Sequence, residues 1–182
     1  MRRNHRQPFT HSSIVAKNEG FTLFELLVVI AILTALSAMT IPSINSWRQN
    51  LQLNSATRDI YSNLQKAKLE AIKTRTYCTA SFDANGYVIF MDADKDLVQD
   101  AGETVISSVS LSDYKNVSFD TSKGGGDGLD FNGTDDGIAF SFTGLPRNSA
   151  GTLGLGTIFL KQDNRSKTAK INITRAGNIQ IN

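Results

Sequence analysis

Residues 19–33 read Glu19-Gly20-Phe21-Thr22-Leu23-Phe24-Glu25-Leu26-Leu27-Val28-Val29-Ile30-Ala31-Ile32-Leu33, and the apolar run continues to Ile41 before it meets Pro42. From Phe21 to Ile41 there are 21 residues and one charge, Glu25. As a helix this run extends roughly 31 Å at about 1.5 Å per residue, the depth of a hydrocarbon core. Residues 26–33 are apolar on every face, which a helix buried along one stripe does not require. The run therefore predicts a transmembrane helix over 21–41. The cations Arg2, Arg3, Arg6 and Lys17 precede it, and the next cation after it is Arg48. That asymmetry predicts a cytoplasmic N-terminus and an exported remainder.

Working outward, residues 1–20 hold four basic side chains against Glu19, a net of +3, and the rest of the chain is close to neutral. A strongly basic nucleic-acid module is thereby excluded. Both histidines, His5 and His11, lie in those 20 residues. Without that segment no Ser-His-Asp or Cys-His site and no His-ligated zinc can form. The single cysteine, Cys78, excludes an internal disulfide and reads as a small buried apolar residue in a strand. The run Lys123-Gly-Gly-Gly-Asp-Gly128 lacks the following Lys-Ser/Thr of a phosphate loop, so it reads as a flexible loop.

Glycine before an apolar run, with a carboxylate five residues on and Pro42 closing the run, resembles the signal of type IV pilins and type II secretion pseudopilins. The resemblance implies that a prepilin peptidase cuts between Gly20 and Phe21 and N-methylates Phe21. It also implies that Glu25 acts in assembly and that Pro42 is a helix-kinking proline. The physics agrees. A carboxylate in a membrane span is costly unless paired, and Glu25 could meet the α-amino group of a neighbouring Phe21. Proline lacks an N–H and clashes with the preceding turn, so a kink or local melting is expected at Pro42. A 20-residue leader is long for this family, and translation from Val15 would give a short one.

Beyond Pro42, Trp47, Leu51, Ala56, Ile60, Leu64, Ala67 and Ala71 recur mostly four apart. They predict one long helix over residues 21–75, amphipathic after its membrane part. Residues 64–72 resemble the GspH/FimT branch of minor pseudopilins. From Thr76 onward the periodicity changes to short strand-like runs at 77–82, 87–91, 105–111, 117–119, 138–142, 157–161, 169–174 and 179–181. Asn85-Gly86 marks a hairpin between the first two. The expected class is α+β, a long N-terminal helix followed by a mostly antiparallel β domain over 76–182.

Two constellations carry possible chemistry. Asp92, Asp94, Asp96, Asp100 and Glu103 stand at positions 1, 3, 5, 9 and 12 of a loop, the oxygen spacing of a calcium-binding EF-hand. Leu97 takes the position where that loop needs glycine, and the flanks read as strands. The plain reading is an acidic hairpin tip; the alternative is a calcium loop joining two strands, and calcium is the one cofactor the sequence suggests. The last 22 residues hold Lys161, Arg165, Lys167, Lys170 and Arg175 against Asp163, a net of +4. Some FimT-like pilins bind DNA through a basic C-terminal region. Both arginines of their usual Gly-Arg-x-Arg run are missing from Gly177-Asn178-Ile179-Gln180.

The resemblance implies a non-enzymatic minor pseudopilin of the GspH/FimT type, anchored in the bacterial inner membrane by a single pass. It would start or cap a type II secretion pseudopilus or a type IV pilus. The implied partners are other pilins, the prepilin peptidase and lipid. The alternative is a DNA-binding minor pilin for uptake.

Overall fold

The computed structural model describes residues 20–133, 136–164 and 166–182, with the side chains of 39–46 and 49 outside the description. The leader residues 1–19, with Val15 and the four cations before the apolar run, lie outside the described residues. The chain forms two compact units, Met1–Pro42 and Ser43–Asn182.

Helix α1 spans Leu23–Thr74, 52 residues. The helix is assigned through Pro42, so the proline does not end it; the boundary between the two units falls there. In the first unit every described side chain from Phe21 to Ala38 is exposed. Among the described residues no helix is long and apolar enough to cross a membrane. The predicted span runs on through 39–41, whose side chains are not described.

In the second unit α1 buries Leu53, Ala56, Ile60, Leu64, Ala67 and Ala71, none more than 1% exposed. Their spacing of three and four keeps them on one face. Trp47 and Leu51, expected on this stripe, are 63% and 44% exposed. Leu53, not Leu51, is in phase with Ala56 and Ile60, so among the described side chains the buried stripe begins at Leu53, six residues after Trp47.

The strands are β1 (Tyr77–Asp83), β2 (Gly86–Asp92), β3 (Val105–Ser110), β4 (Val117–Phe119), β5 (Leu129–Phe131), β6 (Gly137–Phe140), β7 (Pro146–Arg147), β8 (Gly156–Gln162), β9 (Thr168–Ile173) and β10 (Ile179–Ile181). One sheet has the order β3-β2-β1-β6-β7, the other β10-β9-β8-β4, with β5 also on β8. All pairings are antiparallel. The β1–β2 hairpin is organised by Asp83, whose Oδ1 accepts from the N–H of Asn85 (2.7 Å) and Gly86 (2.9 Å).

Phe82 joins the two sheets. Its ring lies 5.5 Å from Tyr87, 6.2 Å from Phe119 and 5.6 Å from Phe131, centroid to centroid. Gly156 must be glycine, because a Cβ there would stand 2.1 Å from the Phe131 ring. Strands β5 and β7 were not expected; each is three residues or fewer and flanked by glycine, too short to show alternation.

A smaller layer covers the outer face of the first sheet. Phe90, Ala139 and Leu97 are buried outside the main core cluster. Phe90 and Ala139 both pair with Thr79, which sets them on one face. Leu97 comes from the 93–103 loop and reaches Gly137, where a Cβ would meet it at 3.8 Å.

Candidate functional site

The start of α1 is a reciprocal cap. Thr22 Oγ accepts from the Glu25 N–H (3.2 Å), and Glu25 Oε2 accepts from the Thr22 N–H (2.9 Å) and hydroxyl (3.0 Å). This satisfies orphan donors at the helix start and places an acidic group there, where the helix dipole favours it. Phe21 lies just outside the helix, 89% exposed. Gly20 is exposed, and a Cβ on it would meet nothing within 4 Å. Among the described residues no contact asks for glycine at position 20. Pro42 is described only through its helical backbone.

The acidic loop is built differently from the sequence expectation. Carboxylate oxygens of Asp92, Asp94 and Asp96 lie within 4.8 Å of one another, with Asp92 buried and the other two exposed. Asp100 and Glu103 do not join them. Glu103 accepts from the N–H groups of Ala93 (2.9 Å) and Asp100 (3.0 Å), closing the loop at its base. Asp92 accepts from the Thr79 hydroxyl (2.6 Å) and the N–H groups of Lys95 (2.6 Å) and Leu97 (3.3 Å). Asp96 accepts from the Val98 N–H (2.7 Å). Asp92, Asp96 and Glu103 thus accept from the loop's own N–H groups, which offsets part of the repulsion among the acidic side chains, while Asp92, Asp94 and Asp96 still converge. Burial pushes the Asp92 carboxyl above its ordinary range, against those donors. Calcium takes six to eight oxygens; three converging carboxylates are a partial set.

The loop's shape comes from Leu97. It has φ +68°, Lys95 has φ +69°, and the side chain of Leu97 is 3% exposed. Two left-handed residues turn the chain back so that the Leu97 side chain is buried beside Gly137 of the first sheet. Lys95 lays its ammonium over the Tyr77 ring at 4.8 Å. The residue that breaks the EF-hand pattern is therefore the one that packs.

The basic residues divide. Lys161 is on β8, Lys167 just before β9, Lys170 on β9, and Arg175 in the β9–β10 turn. Arg165 lies outside the described residues. Lys167 and Arg175 stand at opposite ends of the six-residue β9, so the predicted set is no single patch. A tighter group forms around Phe159. Lys170 is its cross-strand partner, Lys161 is two residues along the same face, and Lys123 holds its ammonium 5.4 Å from the ring centroid. Lys123 also pairs with Asp120 at 3.7 Å. Its place in a glycine-rich loop gave no sequence signal for this role.

Helix and sheet are tied by a polar cluster that sequence reading missed. The Tyr87 hydroxyl donates to Asp59 (3.0 Å) and accepts from the Asn63 amide (2.8 Å). Cys78 is buried, as expected, and burial pushes its thiol up to about 12.

A family model described as type II transport protein GspH matches residues 56–177, and one described as the prokaryotic N-terminal methylation motif matches residues 15–41. The fold is similar to that of the type IV minor pilin FimU of Pseudomonas aeruginosa. In one crystal form the TM-score is 0.53 at 16% identity, over 75% of this chain and 92% of that one. In a second form it is 0.50, over 71% and 92%. The minor pseudopilin EpsH of the Vibrio cholerae type 2 secretion system aligns at 14% identity and TM-score 0.44, over 71% and 95%. No curated protein matches the sequence.

Proposed function

The chain belongs to the GspH family of type II transport proteins, and from that premise we propose that it is processed between Gly20 and Phe21 and enters its filament through Glu25. It is a structural subunit, a minor pseudopilin or minor pilin, and the methylation motif marks it for prepilin peptidase. The observation that supports the cleavage site is the pairing of two facts. Among the described residues Gly20 answers to no contact, and the capped helix begins at Leu23, three residues on. A glycine that the fold does not need is a glycine read by something else.

In this reading Phe21 becomes the new N-terminus, beside the Thr22–Glu25 cap. Glu25 exchanges its cap with Thr22 for the α-amino group of a neighbouring subunit's Phe21. Residues 21–41 anchor the chain in the inner membrane, with residues 43–182 on the periplasmic side. The subunit starts or caps the filament. Intact-mass analysis of Gly20→Ala should show the uncleaved chain, and Glu25→Ala should be cleaved but absent from sheared filaments. Normal cleavage of Gly20→Ala would sink the assignment.

One observation favours a second reading, DNA binding: the three lysines around the half-buried Phe159 ring. Phosphates would meet the ammonium groups and a base would lie on the ring. Duplex binding should weaken steeply as salt rises and be lost in Lys161→Ala/Lys170→Ala. No binding at low salt would remove this reading. Calcium, if this loop takes it, is held by Asp92, Asp94 and Asp96. A calcium-induced rise in melting temperature should then vanish in Asp94→Asn/Asp96→Asn.

A further inference from the structure

Trp47 and Leu51 lie on the side of α1 turned away from its buried stripe. They are about 40° apart around the helix, and Leu53, where the stripe begins, is about 160° from Leu51. Trp47 is 63% exposed and Leu51 44%, so packing within the globular unit accounts for neither. Arg48, beside Trp47 and one turn before Leu51, is exposed as well. Between Glu25 and Asp59 the chain carries no acidic residue. The outer face of this turn therefore presents an indole, an isobutyl group and a guanidinium, with positive charge alone.

Position along the chain selects the partner. Trp47 stands six residues past Ile41, where the apolar run ends, and the backbone between them is helical. Six residues of helix rise about 9 Å, and a bend at Pro42 only shortens that height. The headgroup layer on each side of a bilayer is about 5–8 Å thick. Helical side chains lean toward the N-terminus, so the indole falls back toward that layer from its own Cα. Tryptophan favours the layer because its ring is apolar and its N–H polar, and arginine beside it meets lipid phosphate. The same segment of a second copy offers only arginines and gives Arg48 no partner.

We propose that Trp47, Arg48 and Leu51 form an interfacial anchor, seated in the phospholipid headgroup layer on the side where α1 leaves the membrane. The indole and Leu51 enter among the glycerol groups and uppermost acyl carbons, and the Arg48 guanidinium binds phosphate. The anchor fixes the depth of the helix in the bilayer, which the apolar run alone leaves free to slide. This inference rests on the reading of residues 21–41 as the membrane anchor.

Trp47 is the chain's one tryptophan, so intrinsic fluorescence reports on it alone. The test reconstitutes the full chain into vesicles of phosphatidylethanolamine and phosphatidylglycerol, with flotation as the measure of anchoring. Trp47 should emit at shorter wavelength than in the urea-unfolded chain. Lipids carrying a quencher at the headgroup should quench it more than lipids carrying one at the acyl-chain end. Arg48→Glu should float as the parent does and show weaker headgroup quenching. A chain that floats while Trp47 emits as in urea, unquenched by either lipid, overturns the proposal and leaves the anchor at 21–41 standing. A chain that does not float removes that anchor and this proposal with it. A blue shift that grows with the protein-to-lipid ratio and escapes both quenchers assigns Trp47 to a neighbouring subunit and overturns it. Equal headgroup quenching in Arg48→Glu overturns it too, by detaching the indole from the phosphate contact.

Discussion

Leu97→Gly should destabilise the globular unit, although it restores the residue that a calcium loop requires at that position. The magnitude follows from two opposing effects. Leu97 is 3% exposed, and removing a buried leucine side chain costs about 2–5 kcal/mol, including the cavity left behind. Its φ of +68° is left-handed, and glycine would relieve about 1 kcal/mol of that strain. The net expected loss is about 1–4 kcal/mol, or a fall in melting temperature of about 3–12 °C for a unit of this size. Urea unfolding of residues 43–182 reads it directly, since every buried side chain among the described residues lies in that unit. Leu97→Ala removes nearly as much packing and keeps the left-handed backbone, so it should lose at least as much. A neutral or stabilising Leu97→Gly would show that the loop is not a packed lid and would refute the reasoning.

Asp92 and Asp120 should give opposite pH slopes. Burial raises Asp92 in the folded state, so its stability contribution is present in acid and is lost as pH rises through that raised value. The Ser122 hydroxyl lowers Asp120, so its contribution is present at neutral pH and is lost as pH falls. Melting temperatures of Asp92→Asn and Asp120→Asn against the parent, from pH 7 to pH 4, should diverge in those two directions; parallel curves would contradict both environments. Cys78, with its thiol at about 12, should resist iodoacetamide at pH 8 and react only on unfolding. Rapid labelling of the folded chain would place it elsewhere than in the core. Tyr87→Phe should cost about 1–2 kcal/mol in urea unfolding, because Asp59 and Asn63 lose their shared partner.

Much of the fold was readable because its largest features are periodic. Change of period near Thr76 divides helix from strand, and the strands at 117–119 and 179–181 were placed to the residue. What could not be read depended on distant pairing. Strand β5 exists because it completes the edge of β8 next to β4, and β7 because it closes on β6. Trp47 and Leu51 fit a four-residue spacing as well as the true stripe does, and only the sheets decide which helical phase is buried. The methylation motif over residues 15–41 was legible as a linear pattern, and Gly20, Phe21 and Glu25 are proposed as the residues a peptidase would read in it. The acidic loop was legible as composition but not as geometry. Spacing gives the order of carboxylates, whereas their direction was set by Leu97, Thr79 and the loop's own N–H groups.

Helix α1 has a partner for only part of its length. From Leu53 to Ala71 its stripe is covered by the sheets. From Phe21 to Ala38 all its side chains are exposed, including Phe24, Leu26, Leu27, Ile30 and Leu33. A helix without tertiary contacts is marginal in water, and an apolar surface of this extent associates with something. The globular unit holds its core without that half of the helix, so folding of the domain does not supply the cover. On the proposed reading the cover is lipid before assembly and neighbouring helices after it. The cap at Thr22 and Glu25 lets the uncovered helix begin in an ordered way while it waits for either. If Glu25 pairs with a neighbour as proposed, it gives up the Thr22 bonds to do so, and Thr22→Ala should then leave cleavage intact and make Glu25 easier to engage. Filament yield in that variant, compared with the parent, decides the point. A fall in yield would show that the cap assists assembly instead of competing with it.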